Sequence, residues 1–354
     1  MRSPSVPHPD DTEASVHAAD SRTAAGAREP APERHASEAG AGRIPDFFIV
    51  GHAKCGTTAL HAMLDQHPGI FMSDVKEPQF FATDMPLHVA RPSRWVPQTI
   101  EDYAALYSGA RADQLAGDAS TRYIWSRTAP GLIAAARPDA RIIMILREPA
   151  GFIRSQHLQM VVNRVEDQPS LRKALELEDA RRRGEHLPEY GRHQPRMLMY
   201  REQAAYVEQV RRYHDAFGRE QVLVLIYEDF RAENLATVRQ ILEFLELPAD
   251  LELRPVEANP TTGRRVGLDK QLLALAFGRG RRAAAAKRVI KAVVPRRARR
   301  AGFRRLERLT IAPAEAPDEE LMDALREELA PGVHELSDYL QRDLVSLWGY
   351  DRLG

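Results

Sequence analysis

Three short stretches of this 354-residue chain carry residue types that can hold a phosphate group or move a proton. In the first, Gly51 and Gly56 enclose a loop between the apolar run 47–50 and a helical pattern that begins at Thr57 and Thr58. A strand that turns into a helix through such a loop directs free backbone N–H groups at one point, and the helix dipole adds to their field. The stretch therefore predicts a phosphate-binding loop.

The position of the lysine distinguishes this loop from a Walker A box. That box requires a lysine directly after its second glycine, whereas Thr57 stands there and Lys54 lies inside the loop. The chain has six lysines and 44 arginines, so a lysine kept at this point favours a chemical role over an ordinary strand–helix turn. A P-loop kinase or NTPase remains an alternative for this architecture, and magnesium-dependent ATP turnover would support it.

The second stretch, Lys76 to Phe81, places a carboxylate before two aromatic residues. Glu77 is its candidate proton acceptor, and Phe80 and Phe81 would anchor the segment in the core. Considered alone, the same residues describe a surface lysine–glutamate pair beside two core phenylalanines. The functional interpretation of this stretch therefore depends on the other two.

The third stretch follows the apolar run 141–146. Arg147 comes directly after this predicted strand, and Ser155 lies eight residues further along, within the next helical pattern. Ligands bind open α/β sheets beyond the carboxyl ends of the strands, and an arginine fork and a hydroxyl can together hold a phosphate. The alternative is a helix-capping salt bridge for Arg147 and a neutral surface role for Ser155.

Together these stretches resemble the sulfotransferases that use 3′-phosphoadenosine 5′-phosphosulfate (PAPS), over roughly residues 46–350. The first is similar to that family's 5′-phosphosulfate loop, although Ala53 stands where proline is frequent. The second resembles the Glu-x-x-Phe-Phe segment of the heparan-type and many bacterial members, and the third resembles the 3′-phosphate-binding Arg-x-Pro-x6-Ser stretch. Two weaker similarities are 117–123, on the acceptor side of the cleft, and 259–265, where the family has a late basic loop.

The resemblance implies a role for individual residues. Glu77 would be the general base that takes a proton from the acceptor, and Lys54 would stabilise the charge on the leaving oxygen. The implied acceptor-side residues are Lys76 and Ser120. His52 is a competing titratable group inside the loop, and its other possible role is loop packing or hydrogen bonding. The implied cofactor-binding residues are Lys54, Cys55, Gly56, Thr57, Thr58, Arg147, Ser155, Arg264 and Arg265.

The resemblance also implies the reaction: in-line sulfuryl transfer from PAPS to a hydroxyl or amine of a small-molecule or saccharide acceptor, with no metal required. The loops at 84–100 and 160–200 would set acceptor specificity, but they carry no readable code for the acceptor. The oligomeric state is equally unreadable from the sequence. A non-catalytic protein that docks on an acidic carrier is the second alternative, and salt-sensitive binding without nucleotide binding would favour it.

The composition narrows the class of protein. Hydrophobic residues make up 44% of the chain, charged residues 28%, and the formal net charge is zero. These values are typical of a soluble globular protein and show no overall basic excess for nucleic acid. The lone cysteine, Cys55, excludes an internal disulfide and a cysteine-based zinc site, and it fits a reducing cytoplasm. No apolar run is long enough to span a membrane, and no secretory signal is visible.

The order of apolar runs predicts the fold class. Runs at 47–50, 141–146 and 222–226 are bounded like buried strands and alternate with helical patterns, one of them at 234–246. This alternation is typical of an α/β fold with a mainly parallel sheet. The resemblance makes it a P-loop-NTPase-like three-layer fold. Near the C-terminus, the pattern predicts two helices, 318–329 and another through 333–347.

The chain divides into two parts by composition. Residues 1–43 lack large apolar side chains and are predicted to be a disordered tail, and 44–354 would form the sulfotransferase domain. Within that domain, 279–305 holds twelve basic residues and no acidic one. This segment is interpreted as a solvated surface, with a docking site for an acidic substrate, carrier or membrane as the alternative.

Overall fold

A computed structural model describes residues 42–85, 97–189, 191–250, 252–256 and 316–353, together with the backbone of 262–264 and 311–313. Its central sheet has five strands in the order β2-β3-β1-β4-β5, and all neighbouring pairs are parallel. The strands are β1 (Phe47–Ile49), β2 (Ile70–Met72), β3 (Leu115–Ala119), β4 (Arg141–Leu146) and β5 (Val222–Ile226). Two further strands, β6 (Thr262–Arg264) and β7 (Ile311–Pro313), form an antiparallel pair.

Helices flank the sheet. In chain order the described residues form α1 (Thr57–Leu64), α2 (Ile100–Ala105), α3 (Ala129–Ala136), α4 (Pro149–Val162), α5 (Leu171–Glu176), α6 (Glu178–Arg182), α7 (Tyr200–Gln203), α8 (Tyr206–Phe217), α9 (Tyr227–Ala232), α10 (Asn234–Phe244), α11 (Glu319–Leu340) and α12 (Leu344–Leu347). Short 3-10 turns lie at Gly191–His193, Pro195–Leu198 and Tyr350–Arg352. None of these helices combines the length and the apolarity needed to cross a bilayer.

The core lies on both faces of the sheet. The side chains of β1 and of β4 from Ile142 onward are fully buried, as expected for parallel strands covered on both sides by helices. These two strands are neighbours at the centre, and the chain leaves them toward opposite edges, β2 on one side and β5 on the other. Ligands bind open α/β sheets at such a point. The loop 51–56 and Arg147 follow these two strands directly.

Most of the predicted elements are confirmed. The strands β4 and β5 have the predicted bounds, β1 ends one residue earlier, and α10 ends two residues earlier than the pattern suggested. The sheet is parallel throughout its five strands. The predicted tail lies outside the described residues up to residue 41, whereas Arg43 is described and donates from Nη2 to the Gln114 carbonyl at 2.5 Å. The basic segment 279–305 also lies outside the described residues.

The prediction of two separate C-terminal helices before residue 347 is wrong at their junction. A single helix, α11, runs through Pro331, and only the short α12 follows it. Pro331 is exposed, while Val333 and Leu336 continue the buried stripe that Leu321 and Leu325 begin. Packing of this stripe on α4 and α8 offsets the cost of a proline in a helix interior, about 3 kcal/mol.

Candidate active site

The loop after β1 is shaped by its two glycines. A Cβ on Gly51 would overlap the Ile145 side chain, so the backbone runs directly against β4. Gly56 has φ +83°, which glycine adopts without strain, and the Phe230 ring would lie 2.9 Å from a Cβ there. Helix α1 then begins at Thr57 with no side-chain cap. Its first N–H groups therefore have no N-cap side chain to satisfy them, which suits an anion.

Two cations from different strands meet at this loop. The Arg147 Nη1 donates to the Lys54 carbonyl at 3.2 Å, and the guanidinium stacks on the Tyr227 ring at 5.0 Å. Burial lowers the pKa of Lys54, and the nearby charge of Arg147 lowers it further. In the part of the chain that the structure describes, neither cation has a carboxylate within 4.0 Å. Two half-buried like charges with no carboxylate within 4.0 Å are stabilised by a bound anion.

Ser155 lies on α4, the helix that follows Arg147. Its side chain is buried, with 2% of the residue exposed, and its hydroxyl has no hydrogen-bond partner among the described residues. Burying a hydroxyl without a partner costs about 1–3 kcal/mol, so this group is available for a ligand oxygen. The backbone of β6, which includes Arg264, runs alongside α4. Arg265 lies outside the described residues.

The segment that carries Glu77 is attached to the start of α1. The Lys76 ammonium donates to the Thr58 hydroxyl at 2.5 Å and lies 3.8 Å from the Glu77 carboxylate. The amide of Gln79 donates to the same carboxylate at 3.1 Å. About a third of the Glu77 side chain is exposed. The candidate base therefore lies beside the phosphate loop with one face open to solvent.

The backbone of this segment is strained. Both Glu77 (φ +57°) and Gln79 (φ +54°) adopt the left-handed region, which side chains disfavour. The Gln79 N–H donates to the Ser120 hydroxyl at 3.0 Å, and that hydroxyl donates to the Asp118 carboxylate at 2.7 Å. Ser120 is fully buried, so both of its hydrogen bonds serve to hold the Glu77 segment. The structure thus gives Ser120 a supporting position beneath the site predicted for the acceptor.

Asp118 anchors this network in the core. Its carboxylate also accepts hydrogen bonds from the Tyr103 hydroxyl at 2.7 Å and the Tyr123 hydroxyl at 3.0 Å. Burial raises the pKa of Asp118 to about 6, and these hydrogen bonds oppose the rise. The side chain consequently titrates just below neutral pH, and its charge state bears on the support beneath Glu77.

The two other side chains of the loop are turned into the protein. The His52 ring is buried against Phe152, and its Nε2 lies 2.8 Å from the Gln209 Oε1. Burial lowers the pKa of His52 to about 4, so it is neutral at pH 7 and serves the packing role weighed for it. Burial raises the pKa of the Cys55 thiol to about 12. The backbone N–H of Cys55 donates to the His52 carbonyl at 3.3 Å. Cys55 therefore shapes the loop.

Sequence reasoning missed a cation beside the Glu77 segment. Arg122 is mostly buried, and its Nη2 donates to the Gln194 amide oxygen at 2.7 Å. Burial lowers the pKa of Arg122 to about 10, while the charge of Glu77 raises it. Its position in the segment 117–123, which resembles an acceptor-side segment of the family, could have indicated this residue. The structure thus adds a fixed positive charge to the acceptor side.

The parallel sheet and the loop after β1 define a P-loop-NTPase-like fold, and the paired cations lie at its β1–β4 switch point. A model of the Sulfotransferase family matches residues 45–251, more than half of the chain, and the chain belongs to this family. The crystal structure of a sulfotransferase from Alicyclobacillus acidocaldarius is similar at 27% identity and a TM-score of 0.62. That match covers 86% of this chain and 98% of the bacterial one.

Similar curated proteins are larger. The chain is 31% identical over 115 residues to the membrane-associated sulfotransferase kil1 of Dictyostelium discoideum, over 32% of this chain and 22% of that protein. It is 27% identical over 152 residues to carbohydrate sulfotransferase 15 of Mus musculus, over 32% of this chain and 27% of that protein. It is 34% identical over 113 residues to the human bifunctional heparan sulfate N-deacetylase/N-sulfotransferase 2, over 30% of this chain and 12% of that protein. The matches span about a quarter or less of each relative.

Proposed function

We propose that this protein transfers a sulfuryl group from PAPS to a hydroxyl or amine of a small-molecule or saccharide acceptor. The observation that carries the proposal is the meeting of two half-buried cations, Lys54 and Arg147, that have no carboxylate within 4.0 Å among the described residues. The unpartnered hydroxyl of Ser155 supports it, because it offers a second polar group on the Arg147 side. One phosphate site at the Lys54 loop and a second at Arg147 and Ser155 would fit a nucleotide with phosphates on both its 5′ and 3′ oxygens.

The loop would hold the 5′ end of the nucleotide. The first N–H groups of α1, together with the Thr57 and Thr58 residues, would bind the 5′-phosphate. Lys54 would lie next to the oxygen that joins phosphorus to sulfur, and its charge would stabilise the negative charge that develops there. Arg147 and Ser155 would bind the 3′-phosphate, and Arg264 would approach it from β6.

Glu77 would act on the other reactant. Its carboxylate takes the proton of the acceptor hydroxyl or amine while the acceptor atom forms a bond to sulfur. The bond from sulfur to the 5′-phosphate oxygen breaks, and adenosine 3′,5′-bisphosphate leaves. The Lys76 ammonium lies 3.8 Å from the Glu77 carboxylate. Most of the catalysis in such an in-line transfer is positioning and electrostatics.

The acceptor class rests on the relatives. Two of the similar proteins are named for carbohydrate or heparan sulfate, which supports a saccharide among the candidate acceptors. The buried charge of Arg122 beside Glu77 is compatible with an acceptor that carries a negative group. The chain matches only part of each relative, so the acceptor must be found by direct assay.

A thermal-shift titration with adenosine 3′,5′-bisphosphate tests the proposal. Ligand at 100 times its Kd stabilises the folded state by about 2.7 kcal/mol, which for a chain of this size raises the Tm by roughly 2–4 °C. We expect this shift with the bisphosphate and a smaller one with AMP at the same concentration. A shift with ATP and magnesium alone would instead support the kinase alternative and remove the roles proposed for Arg147 and Glu77.

A further inference from the structure

The C-terminal segment reaches the strand–helix turn that carries Arg147. This segment, 316–353, lies beyond the residues 45–251 that match the family. Helix α11 packs on α4 and on α8, and the chain then turns through α12. The turn brings Tyr350 to the beginning of α4 and Trp348 to the beginning of α9, and both side chains are largely buried. Side chains from the far end of the chain therefore contact the nucleotide side of the site.

Tyr350 contacts the residue that follows Arg147. Its hydroxyl donates to the Glu148 Oε1 at 2.8 Å. The Glu148 carboxylate also caps α4, because it accepts the N–H groups of Ala150, at 3.0 Å, and Gly151. All the donors that the structure gives this carboxylate are thus on α4 or on the C-terminal segment.

Trp348 contacts a second carboxylate near the same arginine. Its indole N–H donates to the Glu228 Oε2 at 2.9 Å, and the other oxygen of Glu228 accepts the Glu148 N–H at 3.3 Å. Glu228 follows Tyr227, the residue whose ring lies under the Arg147 guanidinium. The two C-terminal donors therefore bond to two carboxylates that neighbour Arg147 or its stacking partner Tyr227.

Glu148 and Glu228 lie near Arg147 but form no salt bridge with it. Burial raises the pKa of Glu228, and the charge of Arg147 is among the influences that lower it, so the two groups interact. Yet the described residues show no carboxylate within 4.0 Å of the Arg147 guanidinium, although Glu148 is the next residue in the chain. A carboxylate that bonded to Arg147 directly would occupy the fork that a phosphate needs.

We infer that Trp348 and Tyr350 are positioning residues that hold Glu228 and Glu148 away from Arg147 and so leave its guanidinium free for the 3′-phosphate of the nucleotide. This inference rests on the proposed use of PAPS. The contacts differ from ordinary packing in their consequence. Losing Trp348 leaves the Glu228 Oε2 without its donor, and losing Tyr350 leaves the Glu148 Oε1 with the Ala150 N–H alone, so either carboxylate becomes able to pair with Arg147. The effect should therefore fall on the 3′-phosphate and spare the 5′-phosphate.

The test compares Tyr350→Phe and Trp348→Phe with the wild type by calorimetric titration. The ligands are adenosine 3′,5′-bisphosphate and AMP, which lacks the 3′-phosphate. We expect each variant to bind the bisphosphate about fivefold more weakly, the usual size for one hydrogen bond, and to bind AMP within twofold of the wild type. Tyr339→Phe is the matched control, because Tyr339 belongs to the same C-terminal segment but its hydroxyl pairs with His214 on α8, and it should leave both affinities unchanged.

A second comparison keeps the inference testable if a variant is unstable. In a Glu228→Gln background the competing charge is gone, so adding Trp348→Phe should no longer weaken bisphosphate binding. Equal losses for the bisphosphate and AMP, or a full loss in the Glu228→Gln background, would overturn the inference. A wild type that binds AMP as tightly as the bisphosphate would overturn the proposed function instead.

Discussion

The nucleotide side and the acceptor side of the site are built in opposite ways. On the nucleotide side, the Ser155 hydroxyl has no hydrogen-bond partner among the described residues, and α1 begins without a side-chain cap. On the acceptor side, Ser120 and Asp118 are fully engaged in hydrogen bonds that hold the strained Glu77 segment. This difference indicates that the nucleotide side is arranged to accept a negatively charged ligand, whereas the acceptor side is arranged to hold the Glu77 carboxylate in place.

The largest effect should come from removing the proposed base. Glu77→Gln keeps the shape of the side chain and its contact with Gln79, but it cannot accept a proton. We expect kcat to fall by about 10²- to 10⁴-fold, the usual contribution of general base catalysis, with the affinity for adenosine 3′,5′-bisphosphate nearly unchanged. Steady-state kinetics and calorimetry on the same preparation measure both quantities. Full activity in this variant would remove Glu77 as the base.

Arg147→Ala should break the nucleotide side alone. Loss of a hydrogen bond to a charged group costs about 1.5–3 kcal/mol, so the bisphosphate should bind more weakly by that amount, while AMP loses much less. The Michaelis constant for PAPS should rise more than the constant for the acceptor. An unchanged bisphosphate affinity would refute the phosphate role of Arg147.

Two buried serines sharpen the comparison directly. Ser120→Ala removes a hydroxyl that makes two hydrogen bonds, so it should lower the free energy of unfolding by about 1–3 kcal/mol and lower kcat. Ser155→Ala removes a hydroxyl that has no partner, so the stability of the ligand-free protein should stay the same or rise. Its bisphosphate affinity should nevertheless fall. Denaturant unfolding measures the stability of the two variants, and calorimetry measures their bisphosphate affinity. Equal changes of both quantities in the two variants would contradict the difference between the two sides of the site.

The smallest effect is a pH dependence of stability on the acceptor side. The pKa of Asp118 is about 6 in the folded protein, above the usual value of about 3.9 for an unfolded chain. Asp118 therefore binds its proton more tightly in the folded state than in the unfolded chain. This protonation stabilises the folded state as the pH falls through 6, and the stabilisation is lost as the pH rises through 6. Relative to Asp118→Asn, the wild type should gain about 1 kcal/mol of unfolding free energy between pH 7 and pH 5. A constant difference across this range would argue against a raised pKa.

The sequence predicted much of the fold and the local parts of the site. The strands around 47–50, 141–146 and 222–226 were recognisable because their apolar runs are bounded by proline, glycine or charged residues. The strand–loop–helix turn was recognisable from Gly51 and Gly56, and Lys54 with Thr57 and Thr58 favoured a phosphate-binding loop over an ordinary turn. The run of α11 through Pro331 was not predictable, because the packing of its buried stripe on α4 and α8 outweighs the local preference of proline.

Several contacts at the site depend on residues that are distant in the sequence. Tyr350 and Glu148 are 202 residues apart, and Trp348 and Glu228 are 120 apart. No local pattern marks either donor. The support beneath Glu77 has the same character, because Ser120 lies 41 residues from the Gln79 N–H that it holds.

The sequence by itself predicted which residues would bind phosphate and determined where the chain turns to present them. Backbone preferences of glycine and the burial of apolar runs act over a few residues, so they can be read from the order of residues. Only the tertiary structure decided that, among the described residues, Lys54 and Arg147 meet with no carboxylate within 4.0 Å and that the buried Ser155 hydroxyl has no hydrogen-bond partner. These properties depend on which groups the fold brings within hydrogen-bond distance, and packing of the whole chain sets those distances.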